Sequence, residues 1–174
     1  SAIRSRLEDP DPGLEFLLID DRSTDATGMI MDHLAGTDDR VRVEHVQELP
    51  PRWLGKVHAM HVGGLQARGE WLLLSDADVH VEPGTVRAAV ELAVAHDAVH
   101  LAGIPAIRSG SLGLNLCLAP LQRALILLVR MWAVHDPRSD AAMGVGAFNL
   151  VRRDVFEAAG GFETLRMEVV DDVG

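Results

Sequence analysis

Apolar residues along this chain fall into short unbroken runs and longer helical repeats, and the two alternate. Leu14 to Ile19 (LEFLLI) is a short apolar run closed by Asp20-Asp21, the pattern of a buried strand. Arg22 to Asp25 is a polar turn that supplies a helix N-cap. Ala26, Met29, Ile30, His33 and Leu34 then recur at helical spacing, and Gly36 marks the stop. Val41 to His45 alternates and predicts a second strand, followed by a loop from Val46 to Gly55 that carries Pro50-Pro51. Lys56 opens another helix with Val57, Met60, His61, Gly64 and Leu65 on one face. Gly63 and Gly64 each cost about 1 kcal/mol inside a helix, so this face is expected to lie very close to a neighbour.

The alternation continues. Trp71 to Leu74 predicts a strand that again ends in acid, Ser75-Asp76-Ala77-Asp78. Pro83 suits a first helical position, and Val86, Ala89, Val90, Ala93 and Val94 form the apolar face of the helix it begins. His100 to Ile107 predicts a strand, Leu114 to His135 a helix interrupted at Pro120, Ala147 to Val151 a strand, and Arg153 to Ala159 a short helix ended by Gly160-Gly161. Strands alternating with helices predict an α/β fold, a mostly parallel sheet with helices on both faces. With 174 residues, no internal repeat and no low-complexity segment, residues 1–174 read as a single domain.

Charge narrows the choice of partner. There are 26 acidic residues against fifteen Arg and one Lys, a formal charge of −10, which argues against nucleic acid. Cys117 is the only cysteine, so an intrachain disulfide and a Cys-rich zinc site are both excluded, and a reducing compartment is the natural setting. No stretch reaches the roughly 18 uncharged apolar residues of a membrane span. The nearest, Leu112 to Val134, is broken by Arg123 and Arg130 and reads either as an interfacial helix or as a core helix. There is no apolar signal-peptide region. The chain opens without Met and stops within an unfinished segment, so a fragment of a longer protein is expected.

The acids carry the chemical signal. Ligands of open α/β sheets bind beyond the carboxyl ends of strands, and two predicted strands end there in paired carboxylates, Asp20-Asp21 and Asp76-x-Asp78. Crowded carboxylates repel unless a cation or a donor separates them, and a divalent ion with oxygen ligands, Mg²⁺ or Mn²⁺, is the simplest choice. An ion held by Asp78 would reverse the local sign and make a diphosphate bindable in an acidic protein, with Lys56 as a second positive group. Each element alone has an ordinary explanation: a turn, a solvated loop, a surface lysine. Their order along the chain is what points to a nucleotide-diphosphate site.

At these residues the sequence resembles the family 2 glycosyltransferases. IDDRSTDAT (Ile19 to Thr27) is similar to that family's Asp-Asp-x-Ser-Thr-Asp segment. Trp53 to Val79 is similar to its Gly-Lys helix, Ala-x-Gly-Glu turn and Asp-x-Asp strand, and Gly146 to Glu163 to its later arginine-rich strand and Gly-Gly-Phe turn. VVDDV (Val169 to Val173) stands where the family has Glu-Asp, with Asp171 in place of the Glu. The wording resembles the membrane-associated branch, most nearly the hopanoid-associated glycosyltransferases.

The resemblance implies a GT-A (Rossmann-like) fold and a catalytic domain truncated at both ends, since the family begins one strand earlier and continues past the Glu-Asp pair. It also implies inverting transfer from a nucleotide-diphosphate sugar, usually a UDP-sugar, to a hydroxyl acceptor that can be lipid-linked. Asp20, Asp21, Lys56, Asp76 and Asp78 would line the nucleotide-sugar site, with Asp21 at the nucleobase, Asp76 at the ribose or sugar and Asp78 on the metal; Asp172 would be the general base. The setting implied is the cytoplasmic face of the cell membrane. His80 is a further candidate metal ligand, His58 and His61 read as packing residues, Gly144 and Gly146 as close-approach or turn glycines, and Trp53 as a donor cover or a loop anchor. Two rivals remain. A non-catalytic nucleotide-sugar-binding module fits the missing ends. A haloacid-dehalogenase-type phosphatase shares an Asp-x-Asp strand, but it needs a lysine after that motif and Lys56 precedes it.

Overall fold

The computed structural model describes residues 2–105, 111–128, 130 and 146–167. In chain order the elements are α1 (Ala2–Leu7), β1 (Phe16–Asp21), α2 (Thr27–Ala35), β2 (Val41–Val46), α3 (Gly55–Gln66), β3 (Trp71–Leu74), α4 (Thr85–Ala95), β4 (His100–Ala102), α5 (Leu112–Leu128), β5 (Asn149–Arg152) and α6 (Arg153–Ala158). A 3-10 turn follows at Glu163–Leu165.

The described strands form two sheets. β1 and β2 pair in parallel, and β5 lies between β3 and β4 and is antiparallel to both. The α/β expectation is met, and the expectation of a mostly parallel sheet is met only in part among the described residues, where one sheet is parallel and the other antiparallel. Periodicity shows that a segment is a strand but not which neighbour it joins or in which direction, and β5 runs back between two strands that precede it. Helices on both faces do occur. Leu72 and Leu74 of β3 pack with Val57 of α3 and Phe156 of α6, while Trp71 and Leu73 pack with Ala89 and Val86 of α4. Burial on both sides is why this strand is an unbroken apolar run rather than an alternating one. On β1, Leu18 and Phe16 meet Leu34 of α2 and Ile3 and Leu7 of α1, while Ile19 meets Gly63 of α3.

β1 and β3 are each the outer strand of their sheet, and a cavity of about 660 Å³ is lined by Phe16 to Ile19 on one side and Trp71 to Leu74 on the other. Consecutive rather than alternate residues line it, which is what a strand's open edge presents. The one parallel pair and the antiparallel sheet thus stand apart.

Several boundaries move. β1 extends through both acids to Asp21 because its ladder with β2 continues to Asp20↔His45 and Asp21↔Val46. β4 stops at Ala102, and residues 106–107 of the predicted strand lie outside the described ones. α5 contains Pro120 as expected, but most of its predicted last part, residues 129 and 131–135, lies outside them too. Pro83 stands ahead of α4, whose N-cap is Gly84 at φ 80, with its N–H on buried Asp9 Oδ2 at 2.7 Å. α1 was not anticipated. No described helix is long and apolar enough to cross a membrane.

The close approach expected of the α3 glycines is present and unequal. A Cβ on Gly64 would collide with the Phe156 ring, whereas one on Gly63 would meet Ile19 Cγ1 at 3.3 Å. Gly64→Ala should therefore lose about 1–3 kcal/mol to overpacking, beyond the roughly 1 kcal/mol gained in helix propensity. Gly63→Ala should come out near neutral. Chemical denaturation of both variants measures the pair, and equal stabilities would contradict the packing described.

Candidate functional site

β1 and β2 run in parallel, so their carboxyl ends lie together, and the acids of β1 emerge beside the end of β2. Asp20 sits opposite His45 in the ladder. Its carboxylate is buried, with Oδ2 at 2.9 Å from His45 Nδ1 and Oδ1 accepting the Ser23 N–H at 3.0 Å. His45 Nε2 lies 2.9 Å from Asp32 Oδ1 on α2, so one imidazole spans two carboxylates. Hydrogen bonds from Ser23 and then His45 hold the Asp20 carboxyl below the usual range, and the bonds to Asp32 and then Asp20 push His45 up.

Asp21 turns the other way. Arg22 Nε donates to its Oδ1 at 2.9 Å and Arg22 Nη2 to its Oδ2 at 3.2 Å, with Arg22 in the left-handed region at φ 60. A Cβ at Gly55 would collide with Asp21 Oδ2. The glycine of Gly55-Lys56 is therefore what lets the start of α3 meet this carboxylate. One residue on, Lys56 Nζ reaches Asp76 Oδ1 at 3.4 Å, both groups being about half exposed. The structure thus brings Asp21 to the first residue of α3 and Asp76 to the second.

The loop after β3 is held from two directions. Asp76 N–H donates to Gly146 O at 3.0 Å. From α1, Arg6 Nη2 donates to Ser75 Oγ at 3.0 Å, to Val79 O at 2.8 Å and to the Asp76 carbonyl. Burial lowers the Arg6 pKa, and Asp76 and Asp78 oppose that shift. Asp78 lies exposed on this loop, and His80 Nδ1 is 3.2 Å from Ser5 Oγ. Arg6, Lys56, Ser75, Asp76 and Gly146 line the cavity described above; among the described residues Asp21 and Asp78 do not.

Trp53 packs against His61 and His58, with ring centroids 4.9 and 5.3 Å apart, and the Arg166 guanidinium lies over it. That is the loop-anchor geometry. Gly144 and Asp172 lie outside the described residues. Sequence reasoning missed Arg6, Asp32 and His45. His45 is placed opposite Asp20 by the β1–β2 register, which the sequence alone does not give.

Among the described residues no group of three or more His, Cys, Asp or Glu could hold a metal ion. Asp76 and Asp78 offer two oxygen donors on one loop. That fits an ion of the Mg²⁺ type, which takes one or two protein carboxylates and completes its sphere with phosphates and water.

The family model for glycosyl transferase family 2 matches residues 1–160. The chain belongs to that family. No curated protein matches it significantly. Among solved structures, this family 2 chain is similar to the mannosyltransferase PcManGT from Pyrobaculum calidifontis, in complex with GDP-Man and Mn²⁺, with a TM-score of 0.67 and 20% identity. That match covers 99% of this chain and 44% of the other, so the chain spans less than half of its neighbour's length. At this identity the likeness shows the fold, a mixed α/β arrangement of the GT-A type.

The Asp20–His45–Asp32 network gives a pH prediction. A depressed carboxyl contributes stability above its unfolded pKa of about 3.9, and this is lost as pH falls through the lower folded value. A raised imidazole contributes below about 6.5, and this is lost as pH rises through the higher folded value. The Tm difference between wild type and Asp20→Asn should therefore be greatest between about pH 4 and 6.5 and shrink on either side. Thermal melts extended well below about pH 4 and well above about pH 6.5 measure it; a difference independent of pH over that wider span would show the three groups to be uncoupled.

Proposed function

We propose that this family 2 domain binds a nucleotide-diphosphate sugar and transfers the sugar, with inversion, to a hydroxyl acceptor. The observation that carries the reading is the contact between Lys56 and Asp76. It joins the Gly-Lys helix start to the Asp-x-Asp loop, two segments 20 residues apart in sequence, and in this reading both face one diphosphate. The α/β likeness to a solved mannosyltransferase supports the same class.

In this reading Asp21 contacts the nucleobase beside the first turn of α3. Asp20 shapes the turn that presents it, and Asp76 contacts the ribose or sugar. Asp78 would hold Mg²⁺ or Mn²⁺, which when bound offsets charge on the diphosphate. Lys56 adds a fixed positive charge next to the leaving phosphates, in place before the bond breaks. Asp172 takes the acceptor's proton. An ordinary Asp is a weak base at a pKa of about 3.9, so this role requires a site that raises it.

The nucleobase and acceptor are finer points. The similar mannosyltransferase is in complex with GDP-Man, so the test includes GDP-sugars as well as the UDP-sugars that the family resemblance implies. A lipid-linked acceptor and a place at the cytoplasmic membrane face belong to this proposal as readings of the branch resemblance.

Isothermal titration of the chain with UDP or GDP and Mn²⁺ is the direct test. Asp78→Ala should abolish the metal-dependent part of binding; affinity unchanged by chelator would refute the metal role. Asp172→Asn should leave binding intact and reduce turnover by about 10²–10⁴-fold, the usual contribution of a general base. Binding with no transfer to any acceptor by the wild-type chain would favour the binding-module reading.

A further inference from the structure

We infer that His45 is a positioning residue for donor binding, its imidazolium holding Asp20 and the turn after β1 in the shape that presents Asp21. This inference rests on the proposed function and adds a pH-controlled part to the same site.

The argument begins with hydrogen bonding. Both ring nitrogens of His45 lie 2.9 Å from a carboxylate oxygen, Nδ1 from Asp20 and Nε2 from Asp32. A neutral imidazole has one N–H and one lone pair, so it can satisfy only one ionised carboxylate; the imidazolium donates to both. The geometry therefore selects the charged ring. The acids that face it from the elements packed around it are Asp20 of β1 and Asp32 of α2.

The network is built into the backbone. The parallel register fixes Asp20 against His45, and the second oxygen of Asp20 takes the Ser23 N–H and so sets the turn. A Cβ on Gly28 would come within 2.9 Å of Asp20 Oδ2 and 3.3 Å of His45 Cε1, so the first turn of α2 closes directly over the pair. Asp20 is buried and adjoins Asp21, whereas Asp32 is largely exposed, with 63% of its side chain open. Loss of the ring proton leaves a lone pair facing one of these carboxylates. Water can replace a partner at Asp32 but not at Asp20, so the ring's remaining N–H is held by Asp20 and the brace to α2 is released. The turn from Asp20 to Thr27 then loses one of the contacts that hold α2 against the β1–β2 pair, with the packing of Leu34 on Leu18 remaining.

The sign follows. The imidazolium persists above the ordinary His value of about 6.5 and is lost as pH rises through its raised value. Donor affinity should fall over that interval.

The test measures UDP and GDP affinity, each with Mg²⁺, by calorimetry on the whole 174-residue chain from pH 6 to 8.5. An NMR titration of the His45 ring gives its midpoint independently. Wild-type affinity should weaken by about tenfold, or 1.4 kcal/mol, on the alkaline side, with the midpoint that NMR reports. Asp32→Asn changes an exposed group and should move both midpoints toward lower pH. His45→Gln should flatten the affinity profile. Comparison with wild type in the same buffers subtracts the titration of the nucleotide itself. An affinity midpoint unmoved by Asp32→Asn, or an alkaline fall that survives in His45→Gln, would overturn this inference and leave the proposed function standing. Failure of both nucleotides to bind wild type at every pH would overturn the two together.

Discussion

Like charges crowded at strand ends repel unless a counter-charge or donor meets them, and this acidic chain supplies one at Asp20, Asp21 and Asp76. Asp20 takes His45 and the Ser23 N–H, Asp21 takes Arg22, and Asp76 takes Lys56. The burden is shared among separate elements, so the acids are held apart as well as neutralised. Asp78 remains exposed at the end of the series. In the proposed function this arrangement would let a metal and a phosphate sit together on a protein whose overall charge of −10 would repel the phosphate alone.

Much of this was readable from the sequence, and the limits have physical causes. Trp71 to Leu74 was bounded correctly because a strand covered on both faces is an unbroken apolar run with sharp ends. The glycines of α3 announced a close contact because helix-interior glycine is costly without one, and Phe156 supplies it. Gly160 and Gly161, at φ 77 and 61, end α6 where they were expected to. Strand order was not readable. Direction and pairing are properties of the folded chain, and β5 shows this by running between β3 and β4 in the opposite sense to both. Helix α1 escaped notice because six residues with two arginines give little periodicity, yet one of them, Arg6, grips the Asp76 loop.

The candidate site was legible as a set of residue types more than as a set of contacts. Asp-Asp, Gly-Lys and Asp-x-Asp were visible as motifs, and two of those pieces meet through Lys56 and Asp76. The division of labour between adjacent acids was hidden. Asp20 and Asp21 are neighbours in sequence, but a strand turns successive side chains to opposite sides. One therefore enters a buried network and the other faces the start of α3. Partners that come from other strands, such as His45, become visible only when the register is known.

The separation of the two sheets also shapes how the molecule breathes. β5 is hydrogen-bonded along both sides, whereas β1 and β3 each keep one flank without a strand partner among the described residues. Amide protons on those open flanks will exchange with solvent early, and those of β5 late. The two strands whose ends carry the acids, β1 and β3, are thus edge strands, as β2 and β4 are, while the seam that leads into α6 is the one interior strand among those described.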